Sequence, residues 1–212
     1  MVRRLATTVL LAGIFAAPAL AQEKTVLTPG VLALAVMSTA FTSLAIATGF
    51  ERRYGVLKRL GTSPLPRHGL LLGKVGALLL VEALQVLVIT AVGQALGWDP
   101  KPDLLAAAAA LALGTAAFAS LGLLLAGALR AEATLAVANL VYLLLLAGGG
   151  VVLPTSSYGA IEPVLDWLPS GALGEALRSA LVDGGLDGRS LAVLLGWTVV
   201  GSFLTSRTFS WE

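Results

Sequence analysis

The chain has 212 residues, of which 57% are hydrophobic and 12% charged, about half the charge of an average globular domain. With a mean hydropathy of +0.90, that balance excludes a soluble globular domain and predicts an integral membrane protein. The net charge of +2 does not point to nucleic acid, because the cations stand in short loops beside apolar runs, where lipid topology requires them.

Apolar stretches run from about Leu5 to Ala21, Pro29 to Phe50, Gly69 to Gly97, Leu104 to Leu129, Ala133 to Leu153 and Ser190 to Ser206. A helix rising about 1.5 Å per residue needs roughly 20 residues to cross the hydrocarbon. The middle four therefore span comfortably, and the first and last are short. The expected fold is all-α: a polytopic membrane protein with about six transmembrane helices in a single domain, 1–212, with no fixed-period repeat. The first stretch is open to two readings, since Arg3 and Arg4, the apolar core and the ending Ala19, Leu20, Ala21 also fit a cleavable signal peptide.

After the second stretch comes the one strongly basic segment, ERRYGVLKRLGTSPLPRH, residues 51–68. Polytopic proteins retain Lys and Arg on the cytoplasmic side. If both termini are cytoplasmic, the inside holds Arg3, Arg4, Arg52, Arg53, Lys58, Arg59, Arg67, Lys74, Arg130 and Arg207, against Lys24, Lys101, Arg178 and Arg189 outside. Within this elbow Phe50, Tyr54, Leu57 and Leu60 recur at helical spacing with Arg52, Arg53, Lys58 and Arg59 on the other flanks. That pattern predicts a short amphipathic helix on the membrane surface, stopped after Gly61 by Thr62, Ser63 and Pro64. Read from its residues alone, the segment serves equally as an inert anchor that binds anionic lipid.

Asp99, Pro100 and Pro102 break the chain between the third and fourth stretches, and Arg130 and Glu132 form a very short turn on the elbow side. The one long connection, 154–189, falls outside the cell under this topology. Leu173, Ala176, Leu177, Ala180 and Leu181 form a helical stripe there after Ser170 as N-cap, ended by Gly184 and Gly185. The expectation is a short extracytoplasmic helix lying on or dipping into the outer leaflet.

Polar residues inside spans are the default functional candidates. Glu82 and Gln85 lie one turn apart near the middle of the third stretch, Thr39 and Thr42 mark the second, and Asn139 and Tyr142 the fifth. Helix-to-helix hydrogen bonding is the plainer explanation for the Thr and Asn positions. Lys74 is near enough to the elbow edge to snorkel. GLLLGK, residues 69–74, differs from a phosphate-binding loop, with three residues between its glycines and Val75 where a Ser or Thr belongs. His68 has no carboxylate cluster or glycine-flanked serine to cooperate with, so no catalytic set is expected. With no cysteine in the chain, thiol catalysis, thiolate metal sites and disulfides are excluded, and no metal site is expected.

Glu51-Arg52, Gly55-Val56-Leu57, Arg59-Leu60, Ser63-Pro64-Leu65 and Leu72-Gly73-Lys74 together resemble the cytoplasmic segment between the second and third spans of type-2 ABC transporter permeases. Asn139, Pro154, Leu168-Pro169 and Glu175-Ala176-Leu177-Arg178 extend the resemblance from about Thr28 to the C-terminus. The resemblance implies that 51–68 is a coupling helix seated in a separate ATPase subunit. Glu51, Arg52, Arg53, Gly55, Leu57, Lys58, Arg59 and Pro64 would make the main contact, and Arg130 and Glu132 a smaller second one. It further implies a permease subunit that exports a hydrophobic or amphiphilic substrate across the cytoplasmic membrane. A second permease chain would complete the path, and the partner ATPase would use ATP and Mg, with no cofactor held by this chain. Thr39, Thr42, Glu82, Gln85, Asn139 and Tyr142 are the candidates for the substrate route. Members of the family carry a longer cytoplasmic segment before the first span, whereas four residues precede Leu5, so a truncated start stays open too. A membrane scaffold would need no ATPase, and an intramembrane lipid-modifying enzyme would turn over alone.

Overall fold

The computed structural model describes residues 28–56, 67–99, 102–151 and 153–208, the side chains of 67–72 excepted. The first apolar stretch, with Leu57, Lys58, Arg59 and Pro64, lies outside the described residues. Those that are described fold into helices with no strand among them. Five helices are long and apolar enough to cross a membrane. They are α1 (Thr28–Arg53), α2 (Arg67–Ala95), α3 (Leu104–Ala128), α4 (Ala131–Gly148) and α7 (Gly188–Thr208). Between α4 and α7 come a 3₁₀ turn (Thr155–Ile161), the single turn α5 (Glu162–Leu165) and α6 (Pro169–Arg178), which continues as a π turn over Ser179–Asp183. The chain is an all-α, multi-pass membrane protein.

α1 and α3 are the most deeply packed of the long helices and form the axis of the bundle. Their contact is built from small side chains, with Ala33, Ala40 and Ala45 of α1 and Ala106, Ala110 and Ala117 of α3 fully or almost fully buried. Phe41 and Phe118 fill the space between, edge to face, with ring centroids 6.4 Å apart. At Gly122 of α3 the backbones nearly touch, since a Cβ there would stand 2.8 Å from the Phe41 carbonyl oxygen. The α1 residues opposite, Met37–Ser43, form a π-helical segment, the widened turn that proteins use where a regular helix does not fit its neighbour. α7 also packs closely on α3, because a Cβ on Gly201 would overlap the Ser120 hydroxyl and stand 3.5 Å from the Leu121 backbone nitrogen.

Helix ends are set locally. Asp103 caps α3, its carboxylate accepting from the Leu105 and Ala106 amides at 3.0 and 3.1 Å. Asp187 does the same for α7, accepting from Arg189 N and Ser190 N. α1 stops at Arg53, and Gly55 turns the chain with φ +66°, a conformation that favours glycine.

Four expectations are corrected. Phe50 to Arg53 are the last turn of α1, not the start of a separate surface helix, because the chain turns at Tyr54 and Gly55. The stretch expected to run to Leu153 ends at Gly148, where Gly149 leaves the helix and Gly150 takes φ +69°. Ser170 is not the N-cap of α6: Leu168 holds that place with Pro169 at the first position, and the Ser170 hydroxyl donates to the Gly149 carbonyl at 2.8 Å. Of the two placements expected for α6, lying on or dipping into the outer leaflet, the first is corrected. Its residues are buried except Glu175, and it packs on α3 and α7, inside the end of the bundle opposite the elbow. Arg178 anchors it there, 6% exposed, donating to the carbonyls of Gly150, Val151 and Leu153 and pairing with Glu175 at 3.1 Å. Glu175 in turn accepts from the Thr155 amide at 2.7 Å.

Replacing Gly122 by valine should therefore destabilise the fold by about 1–3 kcal/mol or more, because the opposing atoms are backbone and cannot move aside. Replacing Gly76, which faces open space, by alanine should be neutral or stabilising by up to about 1 kcal/mol. Yield of monodisperse protein and thermal unfolding in detergent check both, and equal tolerance at the two glycines would contradict the close approach.

Candidate functional site

α2 sits apart from the other spans. Most of its side chains from Val75 to Val92 point away from the chain, with Leu80 69% and Leu87 66% exposed. What holds it is a column of polar contacts along one face. Near the elbow end the Lys74 ammonium pairs with the Glu51 carboxylate and donates to the Thr48 hydroxyl at 3.1 Å. In mid-span the Thr115 hydroxyl of α3 donates to Glu82 Oε1 at 2.5 Å, and the Thr39 hydroxyl of α1 donates to Gln85 Oε1 at 3.0 Å. Leu78, Val86 and Ile89 pack between these points, and at the far end Gly93 rests against Thr28 and Trp98. Lipid provides no hydrophobic drive for one apolar helix to leave it for another, so such polar contacts carry much of the association.

Beside this column, α2 and α3 leave a groove of about 720 Å³. Glu82 and Thr115 are its mid-span polar groups, Thr90 and Gln94 lie toward the far end, and Leu79, Val86, Leu87 and Leu111 supply apolar walls. Ala83, Ala91, Ala108 and Ala112 keep it open. Glu82 is 6% exposed, and its second carboxylate oxygen, Oε2, is buried without a hydrogen-bond partner among the described residues. One turn apart on α2, Glu82 thus bonds α3 at the groove while Gln85, outside its lining, bonds Thr39 in the π segment of α1.

The other route candidates are not joined to them. Asn139 is exposed on α4 and bonds the Leu135 carbonyl of its own helix at 3.0 Å. Tyr142 is half-buried against the core. Thr42 sits in the π segment with its buried hydroxyl oxygen unpartnered among the described residues.

A second cluster lies at the elbow end. Arg52 donates to the Ala126 and Gly127 carbonyls, the latter at 2.9 Å, and so places a cation on the negative C-terminal end of α3. Arg53 forms an ion pair with Glu132 in the first turn of α4 and lies 5.8 Å from the Tyr54 ring, which itself stacks on Phe50. Arg130 is exposed in extended backbone between α3 and α4. These residues surround a recess of about 510 Å³. The end of α1 and the turn at 130–132, far apart in sequence, are therefore one surface. Thr48 and Thr115, the polar partners of Lys74 and Glu82, were missed from sequence, as was the carbonyl cradle of Arg178. The signal for each threonine is a lone hydroxyl on a span face otherwise made of small or apolar residues.

Lys74→Met should strip Glu51 of its cation and lower the unfolding midpoint by about 2–4 °C, the effect of about 1 kcal/mol in a chain of this size. The exchange Glu51→Lys with Lys74→Glu should recover most of that loss. No recovery in thermal unfolding would show that the pair does not hold α2.

Searches among curated proteins and among solved structures return no match. The sequence profile of the ABC-2 type transporter family matches residues 1–182. That match takes in α1 to α6, and with it this multi-pass chain belongs to the ABC-2 type transporter family.

Proposed function

We propose that this chain is the permease subunit of an ATP-driven exporter in the cytoplasmic membrane. It moves a hydrophobic or amphiphilic substrate and is driven by a separate ATPase subunit that uses ATP and Mg. The observation that carries the reading is the polar junction at the elbow end. There Arg53 ties α1 to α4, Arg52 ties α1 to α3, and Lys74 ties α2 to α1. A load applied to the elbow would reach four helices together through charge-assisted bonds. The basic segment 51–68 and the turn at Arg130 and Glu132 are the docking surface in this reading, and the positive-charge balance supports a cytoplasmic side for them. Closure of the ATPases would then swing the elbow and change access to the membrane interior. A second permease chain would complete the path.

Two measurements test this. Cysteines placed at Thr62 and Pro100 should react oppositely with an impermeant thiol reagent in intact cells, Pro100→Cys labelling and Thr62→Cys protected; equal labelling would remove the cytoplasmic elbow. Arg130→Glu, at an exposed position, and Val56→Pro, which stops helix formation past the turn, should each weaken co-purification of the ATPase and cut transport by about tenfold or more, with insertion unchanged. Full transport in both variants would reduce the elbow to a topological anchor.

A further inference from the structure

We propose that the groove between α2 and α3 binds an amphiphilic cation, with the Glu82 carboxylate as its counter-charge. The inference names a substrate class for the transport reading and rests on that reading only for the steps after binding.

Glu82 is the starting point. A carboxylate in mid-span is costly unless it is neutralised, paired or hydrogen-bonded. Thr115 satisfies Oε1. Oε2 is buried with no hydrogen-bond partner among the described residues, and no described cation pairs with it, since Lys74 is engaged by Glu51. The acidic group therefore carries one unpaired acceptor buried in the wall of a groove whose other polar lining residues, Thr90, Gln94 and Thr115, are uncharged, so a bound cation would meet it as charge rather than as an exposed hydrogen-bond acceptor.

The groove then sets the shape of what fits. From Glu82 the lining continues through Val86 and Thr90 to Gln94, twelve residues or about 18 Å along the helix. Alanines at 83, 91, 108 and 112 leave the volume, and leucines at 79 and 87 flank it. An anion would meet the carboxylate and find no described cation in the groove. A small hydrated cation would lose its water against apolar walls with too few oxygens to replace it. A cation carrying an apolar body satisfies both parts: charge near Glu82, where low dielectric strengthens the attraction, and hydrocarbon along the groove toward Gln94. The outward face of α2 is apolar and exposed, with Leu79, Leu80, Leu84 and Leu87 each at least half exposed, so such a molecule enters sideways from the lipid along that helix.

The test is binding, without ATPase or transport. The full chain in phosphatidylcholine nanodiscs is dialysed to equilibrium against radiolabelled tetraphenylphosphonium, with empty discs subtracted. Wild type should bind saturably, with displacement by dodecyltrimethylammonium and not by dodecanol or laurate. Glu82→Gln, which keeps shape and removes charge, should weaken binding by about tenfold or more, and Glu82→Asp should stay within about threefold of wild type. Ala112→Leu fills the groove and leaves Glu82 in place; it should abolish binding, and it keeps the test decisive if the Gln variant does not fold. Absence of saturable binding, unchanged binding in both Glu82→Gln and Ala112→Leu, or displacement by dodecanol as effective as by dodecyltrimethylammonium would overturn the proposal. Failure here with ATP-dependent transport intact would remove the site and leave the permease reading. Binding without any transport alongside the ATPase would do the reverse.

Discussion

Lipid tails are as apolar as leucine, so helices covered in leucine come together only where backbones approach closely or polar side chains meet. Both devices are visible, and they divide the bundle. α1, α3 and α7 meet through glycine and alanine, with Gly122 against the Phe41 carbonyl and Gly201 against Ser120. α2 has no such contact along its middle and depends on Thr115 and Thr39 reaching Glu82 and Gln85. One class of contact is rigid, because backbone atoms in van der Waals contact leave no slack. The other consists of a few discrete bonds, which can break and re-form as units.

That division bears on mechanism. A transporter must keep part of its frame fixed while another part moves, and in the proposed reading the small-residue core would be the fixed part. The polar contacts of α2, the Arg52 grip on the end of α3 and the Arg53–Glu132 pair lie where helices enter or leave the elbow end or where α2 crosses its neighbours. Arg53 and Glu132 are both well exposed, so their pair contributes little to stability, roughly 0–1 kcal/mol. Its importance is geometric: it makes one surface of two segments 79 residues apart.

The opposite end is built differently. A transmembrane helix that stops at Gly148 exposes its last carbonyls, and the chain past it carries further unpaired ones. Arg178, Ser170 and Glu175 bind those of Gly149, Gly150, Val151 and Leu153 and the Thr155 amide. A buried guanidinium with fixed donors suits this task better than an ammonium would. α6 is thereby drawn into the bundle, with all its residues but Glu175 buried.

Much of this was legible beforehand, for identifiable reasons. Span type and position follow from runs of about 20 apolar residues, because the bilayer dictates length, and the five described spans differ from the corresponding apolar stretches by a few residues at their ends. The break at Gly184 is local chemistry and can be read from neighbouring residues, whereas the caps at Asp103 and Asp187 were not singled out. The elbow cations were visible as charge. Other features were not in any local pattern. Whether Glu51 to Arg53 continue the span or begin a surface helix turns on one glycine dihedral. Ser170, a good N-cap by type, found a carbonyl 21 residues away instead. Glu82 and Gln85 announced themselves as polar, but their partners come from two other helices, at separations of 33 and 46 residues. Sequence determines which residues must leave water and which must find a partner; only the packing of the helices decides which partner, because hydrogen bonds and close backbone contacts depend on distances that no periodicity encodes.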